Sequence, residues 1–499
     1  MKDELSALAR PLALIALGMA TLLLYDHAAY LHRFPKSMFV YVTTFVAQFA
    51  LYAAACRVVL GAVKASPVKE DRAKKRAAKQ TGAILLAITA LFGAVFRAQL
   101  VIEPPYLSTD LFRYIWDGRV QAAGINPYRY IPEQPELAHL RDREIYDLIN
   151  RRDFAHTIYP PAAQAIFLAS YLIRPSSLTG FKTAMSLFDG LAALAIALAL
   201  MRVGLDPARV IIFAWNPLVV WESAHSGHIE AAAMAFLSLA LTMWVYERYA
   251  LTGVALALAV LVKLYPLLLL PVFLTMKPER ASIEDDKTGR EDKTGGPEQP
   301  RALFESRFRE LAGRVSFRLL AAFVLTVIAA YLPYIGVGAG VLGYLPGYLK
   351  EEGFVETGSR YFLLGLVRLI APLPAVVYSM AAALVLAVAG LWSLLKVKRT
   401  GVDVARTASL MIGLFLILST PRFSWYMAWI IPFLCFAPRA SWAYLTGASV
   451  LLYFLWLTGD YPNLPVWLGA IIYLPTLALL EAERRIGRQD VNLWARMRA

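Results

Sequence analysis

Residues 101–159 of this 499-residue chain hold seven arginines, nine carboxylates and no lysine, although 59% of the whole sequence is hydrophobic. The arginines stand at 113, 119, 129, 141, 143, 151 and 152. A planar guanidinium grips phosphate or carboxylate through two parallel hydrogen bonds, which an ammonium cannot do. Within the segment, the stretch from Ser108 to Gln121 carries two acids, Asp110 and Asp117. A carboxylate that faces a cavity at membrane level can take the proton from an attacking hydroxyl. Asp110 and Asp117 are both candidates for that role. Each also has a plainer reading: Asp110 as a helix cap, and Asp117 as an i,i+4 ion pair with Arg113.

The element that must position these groups is a helix ending at Asn126-Pro127-Tyr128. Phe112, Trp116 and Val120 recur every four residues, as do Arg113, Asp117 and Gln121. Two such stripes predict an amphipathic helix along the membrane surface, with its aromatic face at headgroup depth. Asp110 and Asp117 then lie two turns apart on nearly one face, about 10 Å along the axis.

Around this segment the chain reads as an all-α polytopic integral membrane protein. Charge-free runs at 37–56, 375–395, 440–459 and 461–480 are each long enough to cross the hydrocarbon, and mean hydropathy is +0.53. The net charge of +14 does not point to nucleic acid, because the basic residues cluster between spans, at 64–79, 396–399 and 484–488. That is the positive-inside pattern, and it predicts these segments and both termini on the cytoplasmic side of a plasma membrane. Segment 101–159 then falls outside. About fourteen spans are expected, within a range of 12–14, and runs 160–174, 208–223 and 424–437 are short and Pro-bearing enough to be re-entrant or kinked. Four parts follow: 1–80, N-terminal spans and a basic loop; 81–276, a catalytic module containing loop 101–159; 277–315, a charged linker of disordered composition; and 316–499, a C-terminal module. The only cysteines, Cys56 and Cys435, lie in apolar runs and offer neither a disulfide framework nor zinc-ligand spacing.

Other residues can bear chemistry. Lys263 sits in an apolar run, where an ionisable group is a functional candidate by default; it could hold a phosphate or pair with a buried acid. Tyr265-Pro266 beside it should break the helix. Arg422, Trp425 and Tyr426 at a span boundary read as an aromatic belt or as a sugar and phosphate platform. Arg360 closes a second outside loop, 337–360, that could cover the first. His156 and Tyr159 are candidate lining residues. Glu222, His225, His228 and Glu230 have metal-ligand chemistry but lack a matching third helix, so helix-to-helix hydrogen bonding is the better reading. Counting spans from the charges puts His225 and His228 at the end opposite loop 101–159. Either the neighbouring runs are re-entrant or that motif is structural.

The stretch Thr109-Asp110 through Trp116-Asp117-Gly118-Arg119 to Asn126-Pro127-Tyr128 resembles the first outside loop of the C-type (GT-C) membrane glycosyltransferases, nearest to bacterial polyprenyl-phosphate-mannose-dependent α-mannosyltransferases. Tyr159-Pro160-Pro161, Trp215-Asn216-Pro217-Leu218, Ser226-Gly227-His228-Ile229-Glu230, Val262-Lys263-Leu264-Tyr265-Pro266 and Thr420-Pro421-Arg422-Phe423-Ser424-Trp425-Tyr426 follow in the family's order. The resemblance implies a GT-C-like bundle and an inverting transfer of a hexose, mannose above all, from a polyprenyl-phosphate donor to a glycan or lipid-linked acceptor on the extracytoplasmic face. Carried over by position, it implies Asp110 as base and Asp117 as second choice; with the residue readings above, Arg113, Arg119, Asn126, Tyr128, His156, Tyr159, Lys263, Tyr265, Arg360, Arg422, Trp425 and Tyr426 are the candidate binding residues. The family often has paired acids at the helix entrance; here Thr109 precedes a single Asp110, which weakens metal chelation and leaves a divalent cation open as cofactor. The rival classes are a transporter or lipid flippase and an envelope scaffold. A transporter should spread ionisable residues over many spans and show internal symmetry, whereas this sequence gathers them in one loop.

Overall fold

The computed structural model describes residues 2–31, 37–64, 72–277, 313–354, 358, 360–455 and 463–496. The basic stretch 64–79, apart from Lys79, and most of the charged linker 277–315 lie outside the residues whose side chains it describes. Among the described residues the structure is helical, with one isolated bridge between Thr275 and Val315. Within those described residues, eight helices are long and apolar enough to cross a membrane, and four apolar helices of 10–17 residues accompany them. Helices dominate because each satisfies its own N–H and C=O groups, which hydrocarbon cannot do.

The long helices that frame the site are α1 (Lys2–Leu31), α2 (Ser37–Lys64) and α3 (Arg72–Val101). The helix of the Arg-rich loop is α4 (Asp110–Ala122), followed by α5 (Pro161–Ile173) and α6 (Leu178–Arg202). Their contacts settle which end of the bundle each element reaches. Lys182, in the first turn of α6, donates to the Leu100 carbonyl at the end of α3 at 3.1 Å. The helix α6 therefore starts at the end that carries α4, and α5 returns to that end instead of crossing. Beyond α6, Asp206 lies beside Gly82 at the opposite end of α3.

Residues 207–225 then run back as a broken leg: a 3-10 turn, two four-residue helices and a π-turn, Trp221–His225. Pro217 forces the break, and the Asn216 side chain caps the restart by accepting from Leu218 N–H at 3.0 Å. The carbonyls freed at the break are met by side chains from α2 and α3. Tyr52 donates to Ile212 and Arg97 to Ala214, both at 2.9 Å. Arg97 in turn is ion-paired with buried Asp189 at 2.9 Å.

This leg brings His225 against Tyr106 of the Arg-rich segment, ring centroids 4.5 Å apart. The sequence expectation that His225 and His228 lie at the far end is thus corrected. Run 160–174 makes no crossing, while run 251–275 contains two legs, helix α8 (Tyr249–Val262) and the returning segment 265–273. One traverse is lost and one gained, so the ends reached by the runs between them exchange. The return is fixed by Lys277, which donates to the Val245 carbonyl at 2.9 Å at the foot of helix α7 (Glu230–Val245). Gly227 makes the tight turn into α7: its φ is +70°, and a Cβ there would meet Leu111 and Lys182 at 3.1 Å.

The second half adds α9 (Phe317–Tyr331), the short α10 (Leu345–Glu351) and α11 (Phe362–Arg368). The crossing helices α12 (Ala375–Leu395) and α13 (Gly401–Ser419) follow, and then segments 424–434 and 440–453 and α14 (Val466–Arg496). A capping box at Thr400 and Asp403 starts α13.

Candidate active site

Helix α4 forms where the sequence predicts it, but neither of its stripes faces lipid or solvent. Leu111 through Val120 are all buried, because α5 covers one side and the coil 123–159 the other. The close approach depends on Gly118, where a Cβ would sit 2.5 Å from the Phe167 carbonyl of α5.

The two acids of this helix have separate fates. Asp117 is buried and saturated: its carboxylate accepts from Arg113 Nε at 2.9 Å, Thr157 Oγ1 at 2.5 Å and Gln164 Nε2 at 3.1 Å. It borders neither the polar cavity beside Asp110 nor the apolar groove next to it, and it holds α4, the coil and α5 together. Asp110 is only half-buried, and the cap position belongs to Thr109, which makes no side-chain cap bond. Its Oδ1 accepts from Asn150 Nδ2 at 2.9 Å. The carboxylate borders a cavity of about 440 Å³ lined also by Ser108, Arg113, His156, Tyr159, Lys263 and Trp425. Asn150 and Thr109 flank it in place of a second carboxylate, a donor set that suits a hydrogen-bonding base better than a divalent cation. Among the described residues no three His, Cys, Asp or Glu side chains converge in a metal-holding group.

Helix α10 roofs this cavity, so loop 337–360 does lie over loop 101–159. Arg151 clamps it, donating from Nε to both oxygens of Glu351 at 2.9 Å. Tyr348 shares a 2.8 Å hydroxyl contact with Tyr426. The floor is aromatic: Trp425 stacks on Phe423 (centroids 4.4 Å) and packs at a tilt against His228 (4.2 Å). Beneath it Glu222 accepts from His228 Nδ1 at 2.9 Å, Ser424 at 2.8 Å and Tyr453 at 2.9 Å, which makes the His motif a helix-joining network. Burial and the nearby Arg113 guanidinium hold His156 below the ordinary histidine range, so it is neutral at physiological pH.

A second, apolar groove of about 780 Å³ meets the first cavity. Ile158, Tyr159, Lys263, Tyr348 and Tyr426 belong to the walls of both. From Lys263 the groove follows Leu267 and Pro271 of the returning leg, Leu386, Leu391 and Leu394 of α12, and Met411 and Phe415 of α13. Tyr265 lies along it, stacked on Trp429 at 3.5 Å. Arg360 joins Lys263 at the polar end, with its guanidinium 3.6 Å over the Phe354 ring and paired with Glu352 at 3.4 Å. Lys263 is held by Glu230 at 2.8 Å and lies over the rings of Tyr159 and Tyr426.

Several expected binding residues fall elsewhere. Arg119 clasps Asp142 at 2.5 Å and Ser176 at 2.8 Å on the covered side of α4. Asp142 is partly buried, yet the Arg119 guanidinium and the Ile145 and Tyr146 N–H groups hold it below the usual carboxylate range. Asn126 closes an Asx turn on Tyr128 N–H at 3.0 Å, and the Tyr128 hydroxyl donates to the Tyr159 carbonyl at 2.6 Å. Arg422 is buried against Glu352 and borders neither cavity. The sequence reading missed Asn150 and undervalued Glu351 and Glu230; only the composition of the two loops and the family motif pointed near them.

An all-helical bundle with an acid-bordered polar cavity opening onto an apolar groove is the arrangement expected of a GT-C-like membrane glycosyltransferase. The chain belongs to the α-(1→6)-mannopyranosyltransferase family, whose N-terminal-domain model matches residues 12–278. It is a membrane mannosyltransferase. No curated protein and no solved structure matches it.

Proposed function

We propose that the protein transfers mannose from a polyprenyl-phosphate carrier to a glycan or lipid-linked acceptor, with inversion, at the extracytoplasmic face of a plasma membrane. The observation that carries this reading is the junction at Lys263, where the apolar groove ends against the Asp110 cavity. A groove lined by leucine, proline and phenylalanine suits a prenyl chain, and the cations at its head suit the phosphate of that lipid. The acceptor would enter under α10, with its sugar ring against Trp425 and Tyr426.

The chemistry follows from the charges. Asp110 takes the proton of the acceptor hydroxyl as its oxygen bonds to the anomeric carbon. The bond from that carbon to the donor phosphate oxygen breaks, and the electron pair leaves with the lipid phosphate. A phosphate leaving group needs cations more than a general acid, and Lys263 and Arg360 supply them. An α-linked product made with inversion requires a β-linked donor. The Asp110 side is assigned to the exterior because the basic segments 396–399 and 484–488 favour the cytoplasm.

The test is transfer by the full-length protein in lipid nanodiscs, supplied with radiolabelled β-mannosyl polyprenyl phosphate or, separately, GDP-mannose. Label should pass only from the lipid donor and appear in an α-linkage. Transfer from the nucleotide sugar alone would overturn the donor assignment. Carrier movement across a sealed vesicle without transfer would favour the flippase class.

A further inference from the structure

Glu230 stands at the start of α7, buried, with its carboxylate against the Lys263 ammonium at 2.8 Å. Among the described residues neither carboxylate oxygen accepts a hydrogen bond from any other group. Glu222, by contrast, has three donors. Glu230 borders neither cavity itself, whereas Lys263 lines both. The carboxylate therefore reaches the substrate site only through the lysine, and it makes the pair neutral overall.

We propose that Glu230 is a positioning residue that moderates how tightly Lys263 holds lipid phosphate, and so sets the release of the spent carrier. The inference rests on the reading of Lys263 as the donor-phosphate ligand. A lone ammonium in hydrocarbon is costly, and Glu230 stabilises it while the groove is empty. When phosphate arrives, Lys263 lies between two anions. The phosphate feels the cation diminished by the nearby carboxylate, and the carboxylate repels the leaving group as it gains charge. A site with Lys263 alone would bind the product more tightly and turn over more slowly. Tyr159 and Tyr426, whose rings face the ammonium at 5.7 and 5.4 Å, keep it at the junction while its partner changes.

The experiment measures binding of polyprenyl monophosphate to full-length protein in nanodiscs, alongside kcat and donor KM. With the carboxylate charge removed, Glu230→Gln should bind the carrier about tenfold or more tightly, by Coulomb interaction at an effective dielectric near 20. Its kcat should fall while donor KM falls too. Glu230→Asp, which retracts the charge by one methylene, should lie between it and the native protein, and it provides the reading if Glu230→Gln does not fold. Lys263→Met should weaken binding, and adding Glu230→Gln to it should recover part of the loss. Weaker or unchanged binding in both Glu230 variants, with Lys263→Met still weakened, would overturn the role of Glu230 and leave Lys263 as the phosphate ligand. Unchanged binding in Lys263→Met would remove the underlying reading itself.

Discussion

Replacing Asp110 by Asn removes a charge and a proton acceptor while leaving the shape of the side chain intact, and the surrounding contacts say how little else should change. Asp110 makes one side-chain hydrogen bond, from Asn150, which an amide oxygen can also accept. It caps nothing, because the cap position is Thr109, whose side chain makes no cap bond. The remaining stabilisation is that of an acid in the first turn of a helix, about 0.3–1 kcal/mol. Loss of a general base, in contrast, costs roughly 10²–10⁴ in rate, or about 3–5 kcal/mol of transition-state stabilisation. Asp110→Asn should therefore express and melt almost as the native protein does, bind the carrier normally, and transfer mannose at least a hundredfold more slowly. The assay is single-turnover transfer from labelled donor in nanodiscs, run beside a thermal melt. Activity within threefold of native would refute the reasoning and leave Asp110 as a charged neighbour of Asn150.

Asp117→Asn should behave in the opposite way, losing about 3 kcal/mol or more of stability because Arg113, Thr157 and Gln164 would face an amide; a melt unchanged from native would contradict this. Gly118→Ala should push α5 away from α4, since its Cβ would lie 2.5 Å from the Phe167 carbonyl; lower thermal stability and lower transfer together are expected, and native values of both would exclude the contact. Lys398, between α12 and α13, is buried, and burial with the nearby Arg314 and Lys396 lowers its pKa from 10.5 to about 7. Between those values the unfolded chain binds the proton more readily, so this residue's contribution to stability rises with pH across that window and is flat below it. Lys398→Met should flatten that rise and stabilise the protein at pH 7, as melts at pH 7 and pH 9.5 would show.

The chain shows its chemistry in sequence wherever the signal is local. Asp110 at a helix entrance, Lys263 in an apolar run and Trp425-Tyr426 at a boundary are each unusual for their immediate surroundings, and the structure brings all of them to one cavity. The i,i+4 pairing of Arg113 and Asp117 was equally legible. What locks Asp117 away was not, because Thr157 and Gln164 lie 40 and 47 residues further on. The direction of the short legs failed for another reason. Hydropathy measures whether a run can sit in hydrocarbon, not whether it reaches the other side. So Pro161–Ile173 looked like a span, and the turn at Lys263 was hidden inside one long apolar run. Glu230 was visible as one of four polar groups able to join helices, but nothing near it in sequence names Lys263, 33 positions later, as its partner.

The shared wall at Tyr159, Lys263, Tyr348 and Tyr426 crosses the limit of the recognised family region at residue 278. Asp110 and Lys263 come from before that limit; α10, Phe423, Trp425 and two of the helices beside the apolar groove come from after it. The first portion by itself would keep the acid and one wall of the groove but lose α10, Trp425 and the wall supplied by α12 and α13. On the proposed reading, then, the site is complete only where the two portions meet.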